Sequence, residues 1–560
     1  MSIHARRRGI SRDVVRGGEA AGSERANAGT GRRVLIGVLL GTGLVVAAAA
    51  AVAFGLSGVD VGSDGAALAR IRLGTFAGTL TRVTAHDAHG ARVPVAEQGG
   101  AVTPLRHLAP GTLLTVEVHV RRPGWTGWAL GHDVVKQLSV RTPSAPVRTR
   151  WTTLRAGAPL RVAFAAPVTR IAYGQRGSLR HVVLHHPQRV VDLGRQPAAG
   201  SLLVAGAPRT WEQLPEPSTV TWFPRGVAEL AVASPPPGGR LGPLTPVRVT
   251  FSKPIGALGA ARPTFAAPVA GRWRRADSHT LVFTPSGTGF GLGAAVRLML
   301  PAGVTLAGAS AATAGAQPVA VSWTVPPGST LRLHELLAQL GYLPLGWHPA
   351  RGSAPVAPDD GAQLSAAVDP PKGGFGWRWS LPSQLTSQWS PAAATALTRG
   401  ALMAFQSDHA LATDGIAGPS VWSALFAALR AHQVNKDGYS YVLVHRDSAT
   451  QTATLIHDGK TIVSTPANTG VPAAPTQLGT FPVYLRYDVT TMSGTNPDGT
   501  RYRDPGIRWV SYFNGGDALH AFNRASFGTP QSVGCVELPE AAAAKIYPST
   551  PIGTLVQIAP

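Results

Sequence analysis

Between about residue 60 and residue 327, apolar and polar side chains alternate in short runs. LLTVEVHV (113–120), PVRVTF (246–251) and HTLVFTP (279–285) have period two, and Gly or Pro punctuates them at short intervals. The pattern predicts β-strands. Two segments, PLRVAFAAPV at 159–168 and PVRVTFSKPI at 246–255, share Pro, Arg, Val, Phe and Pro in register, which marks a repeated module. At 330 the period lengthens: TLRLHELLAQLGYLPL puts Leu333, Leu336, Leu337 and Leu340 on one helical face and stops at Gly341. The Pro- and Gly-rich stretch 346–379 reads as an irregular loop. Residues 390–429 then supply a second helix, a turn at Asp414-Gly415 and a third helix opened by Pro419. From Tyr439 period two returns in YSYVLVHR, TATLIHDG, KTIVSTPAN, GTFPVYLRY, GIRWVSYF and GTLVQIA, and PEAAAAKIY (539–547) is the one helix among them.

The 87-residue spacing of the repeat suits an immunoglobulin-like sandwich. Three such sandwiches are expected, at 57–145, 146–233 and 234–327, with SPPPGG and VPPGST at boundaries. A small helical module at 328–432 and a β-rich domain at 438–560 follow. The expected fold class is therefore multidomain and mainly β, and 560 residues are too many for one hydrophobic core.

The N-terminus changes the picture. Val34 to Leu56 is a run of 23 uncharged residues, long enough to cross a bilayer as a helix. Eight arginines against three acids precede it, and the segment after it carries no positive charge, so the positive-inside rule makes 1–33 a cytoplasmic tail and 34–56 a single-pass transmembrane helix. The bulk of the chain is then extracytoplasmic. A cleaved signal peptide is the competing reading. The formal charge of +22 comes from 51 cations of which 45 are arginine, a bias that reads partly as genomic base composition. No zinc-finger spacing, RNA-binding signature or basic helix accompanies it, so no nucleic-acid partner is expected, whereas an anionic envelope polymer fits.

One cysteine cannot form an internal disulfide. Cys535 is thus either a small buried hydrophobe or a functional thiol. It lies in SVGC, after Gly534 and 15 positions after His520, which ends the strand-like DALHAF; the loop NRASFGTPQ joins the two. A cysteine nucleophile needs an imidazole within hydrogen-bond reach, and backbone N–H groups or a helix start to favour its anion. The pattern predicts two neighbouring strands that set His520 beside Cys535. HVVLHH (181–186) has no carboxylate at ligand spacing, so no metal is expected there.

Two resemblances follow from these residues. MAFQSDHALATDGIAGPSVWSAL resembles the three-helix peptidoglycan-binding module, matching at Phe405, Gln406, Asp414, Gly415, Gly418, Pro419 and Trp422. Phe405, Leu411, Ile416 and Trp422 read as its core and Asp414-Gly415 as its turn, so the resemblance implies a wall-binding fold without naming contact residues. The last 120 residues or so resemble the L,D-transpeptidase (YkuD-like) catalytic domain: His520 followed by Ala521, SVGCV at 532–536, the helix PEAAAAKIY, the closing strand GTLVQIA and, upstream, APTQLGTFPV at 474–483. Carried over residue by residue, the resemblance implies Cys535 as nucleophile, His520 as general base and acid, and Ser532 and Gly534 as holders of the active-site loop. Two positions depart from the family pattern: Val533 replaces a second histidine, and Glu537 replaces an Arg or Asn. Arg524, Arg501, Arg503 and Arg508 are candidates to supply the missing charge, with Arg524 taken as substrate-binding.

The implied activity is a peptidoglycan L,D-transpeptidase that forms 3-to-3 cross-links between stem peptides through a cysteine thioester. It needs no metal or cofactor. Its partners are stem peptides and glycan, the membrane through the N-terminal helix, and carbapenem-type β-lactams as inhibitors. An L,D-carboxypeptidase using water as acceptor and a catalytically inactive wall-binding protein are the alternatives.

Overall fold

A computed structural model describes residues 51–560 except 198, 227–228, 259–261 and 308–319. The apolar segment 34–56 lies outside the described residues but for its last six, of which 51–55 are helical; no helix among the described residues is long and apolar enough to cross a membrane. The chain divides into two compact units, one of Met1–Arg148, Ala163–Val190 and Val204–Ser218, the other of Thr149–Val162, Val191–Leu203 and Thr219–Pro560.

In the first unit two four-stranded sheets face each other. Val59–Gly62, Ala69–Leu73, Ala101–Pro104 and Val95–Gln98 form one; Arg92–Val93, Thr79–Asp87, Leu113–Arg121 and Asp133–Arg141 form the other. The alternation in Leu113–Arg121 buries Leu114, Val116, Val118 and Val120 between them. The repeated segment at 159–168 belongs to a strand of 17 residues, Pro159–Gln175, longer than its period-two run indicates. The histidines at 181, 185 and 186 are exposed on the strand Ser178–Arg195.

The second unit contains a sandwich of a five-stranded and a three-stranded sheet between residues 230 and 324, closed around Phe251, Phe283 and Trp323. Helices follow. Thr330–Gln339 (α1), Ala396–Asp408 (α2) and Pro419–Ala431 (α3) bury Leu333, Leu336, Leu337, Phe405 and Trp422 in one core, and Gly341 ends the first helical stretch with φ +82°. Ile416 does not join that core and is 64% exposed. Its backbone is used instead: its N–H donates to Asp414 Oδ1 at 2.9 Å and its carbonyl accepts from Gln406 Nε2 at 3.2 Å, which fixes the turn and turns the side chain outward.

The stretch 346–379 is ordered structure and not an irregular loop. Leu345–Pro349 pairs antiparallel with Gly373–Trp377, and a helix Asp360–Val368 lies between them, capped by the Asp359 carboxylate accepting from Ala362 N at 2.9 Å. The cause is aromatic packing between distant residues. Trp347 meets Phe375 at 5.0 Å and Phe375 meets Trp389 at 5.1 Å between ring centroids, while Gly373 admits the Trp347 ring where a Cβ would come within 2.3 Å.

The C-terminal domain has two sheets. Ser440–His445 (β1), Thr452–His457 (β2), Lys460–Pro466 (β3), Gly479–Pro482 (β4), Leu485–Thr495 (β5), Arg501–Asn514 (β6), Asp517–Ala521 (β7), Val536–Leu538 (β8) and Leu555–Ala559 (β9) make sheets ordered β3-β2-β1-β9-β4 and β5-β6-β7-β8, and Glu540–Ile546 (α4) follows β8. Strand β1 is apolar without a break because both of its faces are buried. Val442 and Val444 enter the core between the two sheets, while Tyr441 and Leu443 enter the helical core with Phe405 and Leu555. Gly400 of α2 and Gly553 pack backbone to backbone: a Cβ on Gly400 would stand 2.6 Å from the Gly553 carbonyl oxygen. The helices therefore share one apolar core with the sheet β3-β2-β1-β9-β4.

Candidate active site

Strands β7 and β8 pair in parallel, with Leu519 beside Val536, His520 beside Glu537 and Ala521 beside Leu538. Side chains on neighbouring residues of a strand point to opposite faces. Leu519, Ala521, Val536 and Leu538 accordingly enter the core. His520, Glu537 and Cys535, one residue before β8, line a cavity of about 330 Å³ on the other face. His520 on β7 and Cys535 just before β8 line one cavity, with the strands parallel and the loop 522–535 crossing over between them; the thiol's own hydrogen bond goes to the Gly516 carbonyl at 3.7 Å.

His520 is 3% exposed, and its Nδ1–H donates to the Ala521 carbonyl at 3.0 Å, which leaves Nε2 as the free acceptor. Burial lowers its pKa below the ordinary histidine value, opposed by the Ala521 bond and the Glu537 charge. Burial also pushes the Cys535 thiol up to about 12; the Ala518 N–H works against this, and the charges of Asp517 and Glu537 add to it. At neutral pH the resting pair is thus uncharged thiol and uncharged imidazole.

The loop before Cys535 is held from several sides. Gly534 has φ +114°, and a Cβ there would stand 2.3 Å from Asp517 Oδ1, so glycine is required for both reasons. Ser532 Oγ donates to the Cys535 carbonyl at 2.6 Å. Thr476, fully buried, donates from Oγ1 to the Gly534 carbonyl at 2.7 Å and accepts from Gly470 N at 2.9 Å. Asn468 exchanges both backbone bonds with Glu537, at 3.0 and 2.9 Å, and its Oδ1 accepts from Gly528 N at 2.9 Å. Thr476 lies in the upstream stretch 474–483; Asn468 and Asp517 carry no sequence signal that marks them. Helix α4 starts beyond β8, five residues after Cys535, so the expected helix start does not adjoin the thiol.

The two departures have distinct outcomes. Val533 is 37% exposed at the cavity wall. Glu537 is 4% exposed and held by Arg524, whose Nε and Nη2 donate to its two oxygens at 2.8 and 2.6 Å; Nη2 also reaches the Gln531 carbonyl at 3.2 Å, and the guanidinium lies 4.6 Å from the Phe522 ring centroid. Arg524 therefore offsets the anion beside the thiol and lines the same cavity. Arg501, Arg503 and Arg508 are exposed and are not among the residues lining it. Arg508 lies 3.5 Å from Glu540 and over the Trp509 ring.

Residues 440–558 match the family of L,D-transpeptidase catalytic domains called YkuD. The C-terminal domain is a YkuD domain. Its match spans β1 to β9 and contains every residue of the cavity. Solved structures with similarity include the catalytic domain of the E. faecium L,D-transpeptidase acylated by ertapenem, 26% identical over 22% of this chain and 97% of that one, TM-score 0.20. An L,D-transpeptidase from Mycobacterium smegmatis is 15% identical over 59% of this chain and 97% of that one, TM-score 0.20. L,D-transpeptidase 3 from Mycobacterium tuberculosis, in complex with a faropenem-derived adduct, is 13% identical over the same shares, TM-score 0.20. No curated protein matches the chain.

Proposed function

We propose that this chain is a peptidoglycan L,D-transpeptidase acting through Cys535. The observation that carries the reading is the shared cavity of Cys535 and His520, with Nδ1 of the imidazole tied to a carbonyl so that Nε2 remains as the base. In the first half-reaction the sulfur attacks the amide carbonyl at the third stem residue and His520 takes the thiol proton. The amide C–N bond breaks, the terminal D-alanine leaves with that proton, and a thioester remains. In the second half an amine of another stem peptide displaces the sulfur and forms the 3-to-3 cross-link. Ser532 and Gly534 hold the loop, and Arg524, paired with Glu537, lines the cavity that the donor stem enters. β-Lactams of the carbapenem type acylate the same sulfur, a reading supported by the ertapenem and faropenem adducts named for the similar enzymes.

The remaining parts take supporting roles in this proposal. The segment 34–56 anchors the chain, three immunoglobulin-like sandwiches at 57–145, 146–233 and 234–327 lie outside the membrane, and the helical module at 328–432 binds the wall. Intact-mass measurement of the full chain with imipenem tests the catalytic core: one covalent adduct is expected on wild type and none on Cys535→Ala. Equal 3-to-3 cross-linking in the muropeptides of cells expressing either form would sink the reading.

A further inference from the structure

A cross-linking reaction needs room for a second substrate, and the Cys535 cavity has a neighbour. A hollow of about 570 Å³ is lined by Asp504, Pro505, Ile507, Phe522, Phe527 and Glu540, among others, and Asp504, Ile507 and Phe522 belong to the walls of both. The two spaces thus meet along three side chains. Cys535 lines the first and not the second.

Charge distinguishes the shared wall. Arg524 is committed to Glu537 by a two-pronged bond, so that pair is neutral. Arg508, on the wall of the second hollow, is 3.5 Å from Glu540, a second pairing of opposite charges. The backbone of Asp504 pairs with Met492 in the β5–β6 ladder, and its carboxylate takes no side-chain hydrogen bond or ion pair among the described residues. Its charge nevertheless acts across the cavity on His520, Arg524 and Tyr502. With thiol and imidazole uncharged, the junction of the two hollows carries one uncompensated negative charge. Phe522, Phe527, Ile507 and Pro505 give the second hollow an apolar wall along which methylene groups lose water.

We propose that the second hollow is the acceptor site and that Asp504 steers the side-chain ammonium of a diamino acid in a second stem peptide toward the acyl-enzyme. This rests on the reading of Cys535 as the acylated nucleophile. The ammonium first gives one proton to solvent beside Asp504. The free amine then attacks the thioester carbonyl: the C–N bond forms and the C–S bond breaks. The excess proton on nitrogen passes to His520 Nε2 and from there to the departing sulfur, which restores the uncharged pair. Water has neither the cation nor the methylenes, so the same wall favours transfer over hydrolysis.

The partition of one acyl-enzyme between amine and water tests this, because the ratio of cross-linked to hydrolysed product does not depend on how fast the acyl-enzyme forms. The full chain is given a tetrapeptide donor and a diamino-acid stem acceptor, and products are counted by mass spectrometry. Asp504→Asn is expected to lower the ratio about tenfold and raise the KM for the acceptor with little change in the limiting rate; Asp504→Glu is expected to recover most of it, and Glu540→Gln to lower it about threefold. An unchanged ratio in Asp504→Asn, in enzyme whose Cys535 still takes an imipenem adduct, overturns the acceptor site alone. A wild type that takes no adduct overturns the catalytic reading and this one with it.

Discussion

The two faces of the β7–β8 pair set dry packing against wet chemistry within a few ångströms of backbone. One face carries Leu519, Ala521, Val536 and Leu538 into the core, and the other carries His520, Cys535 and Glu537 into the cavity. On the apolar face burial is favourable by itself, and any side chain of about the right size serves. On the polar face each group is buried at a cost and requires a named partner: Ala521 O for His520, Arg524 for Glu537, the Ala518 N–H for the sulfur. The apolar face sets where the strands lie. On the polar face the thiol and the imidazole stay uncharged chiefly because burial disfavours the charged form of each.

If the faces divide labour in this way, substitutions should separate chemistry from stability. The largest effect falls on Cys535→Ala, which removes all adduct with imipenem while the thermal midpoint moves little; an adduct that persists would place the nucleophile elsewhere. Next comes His520→Ala, expected to slow acylation by about 10²–10⁴-fold, the range for a lost general base. A change under about threefold would give that role to another group. On the other face, Leu519→Ala should cost about 3 kcal/mol of stability, as buried large-to-small changes do, with the acylation rate per folded molecule close to wild type. A Leu519→Ala protein of normal stability and poor chemistry would erase the distinction between the faces.

The apolar face was legible in the sequence and the polar face only in part. Period two located β1, β2 and β9, and the unbroken apolar run of β1 followed from burial on both sides, a local signal. His520, Gly534 and Cys535 stood out because their residue types and order are those of a thiol site. Asn468 and Thr476 did not, since a single polar residue in a loop says nothing until its partners, here Glu537 and the Gly534 carbonyl, are near in space. The pairing of Glu537 with Arg524 spans 13 residues and a crossing loop, so along the chain Arg524 was one of four candidate cations, and only the fold singles it out. The same reason hid the ordered ribbon at 345–377: its glycines and prolines read as breakers, while the contacts that hold it join Trp347 to Phe375 and Phe375 to Trp389. Ile416 went astray the other way, an apolar residue drawn outward by its own backbone bonds.

Two smaller effects sharpen the comparison on the polar side. Arg524→Ala leaves Glu537 buried without its cation and should cost about 2 kcal/mol, below the range for a fully buried pair because Arg524 itself is 31% exposed. Replacing both residues, Arg524→Met with Glu537→Gln, should recover much of that loss if the penalty is the stranded charge. The last effect is on pH. A histidine of ordinary pKa, about 6.5, is roughly three-quarters protonated at pH 6, so acylation by imipenem would fall about fourfold from its value at high pH. With the pKa of His520 lowered by burial, more of the imidazole stays neutral and the rate should fall by clearly less than that fourfold between pH 7.5 and 6. The sign for stability is opposite to the insensitivity of rate. Below about pH 6.5 the unfolded chain takes a proton at His520 that the folded chain refuses, so stability falls as pH drops through the window between the unfolded and folded values. Acylation that falls by clearly less than fourfold over this range together with a thermal midpoint that declines, a decline weakened in His520→Ala, would identify the buried neutral imidazole as the base; a fourfold fall in rate by pH 6 would return it to an ordinary, solvated histidine.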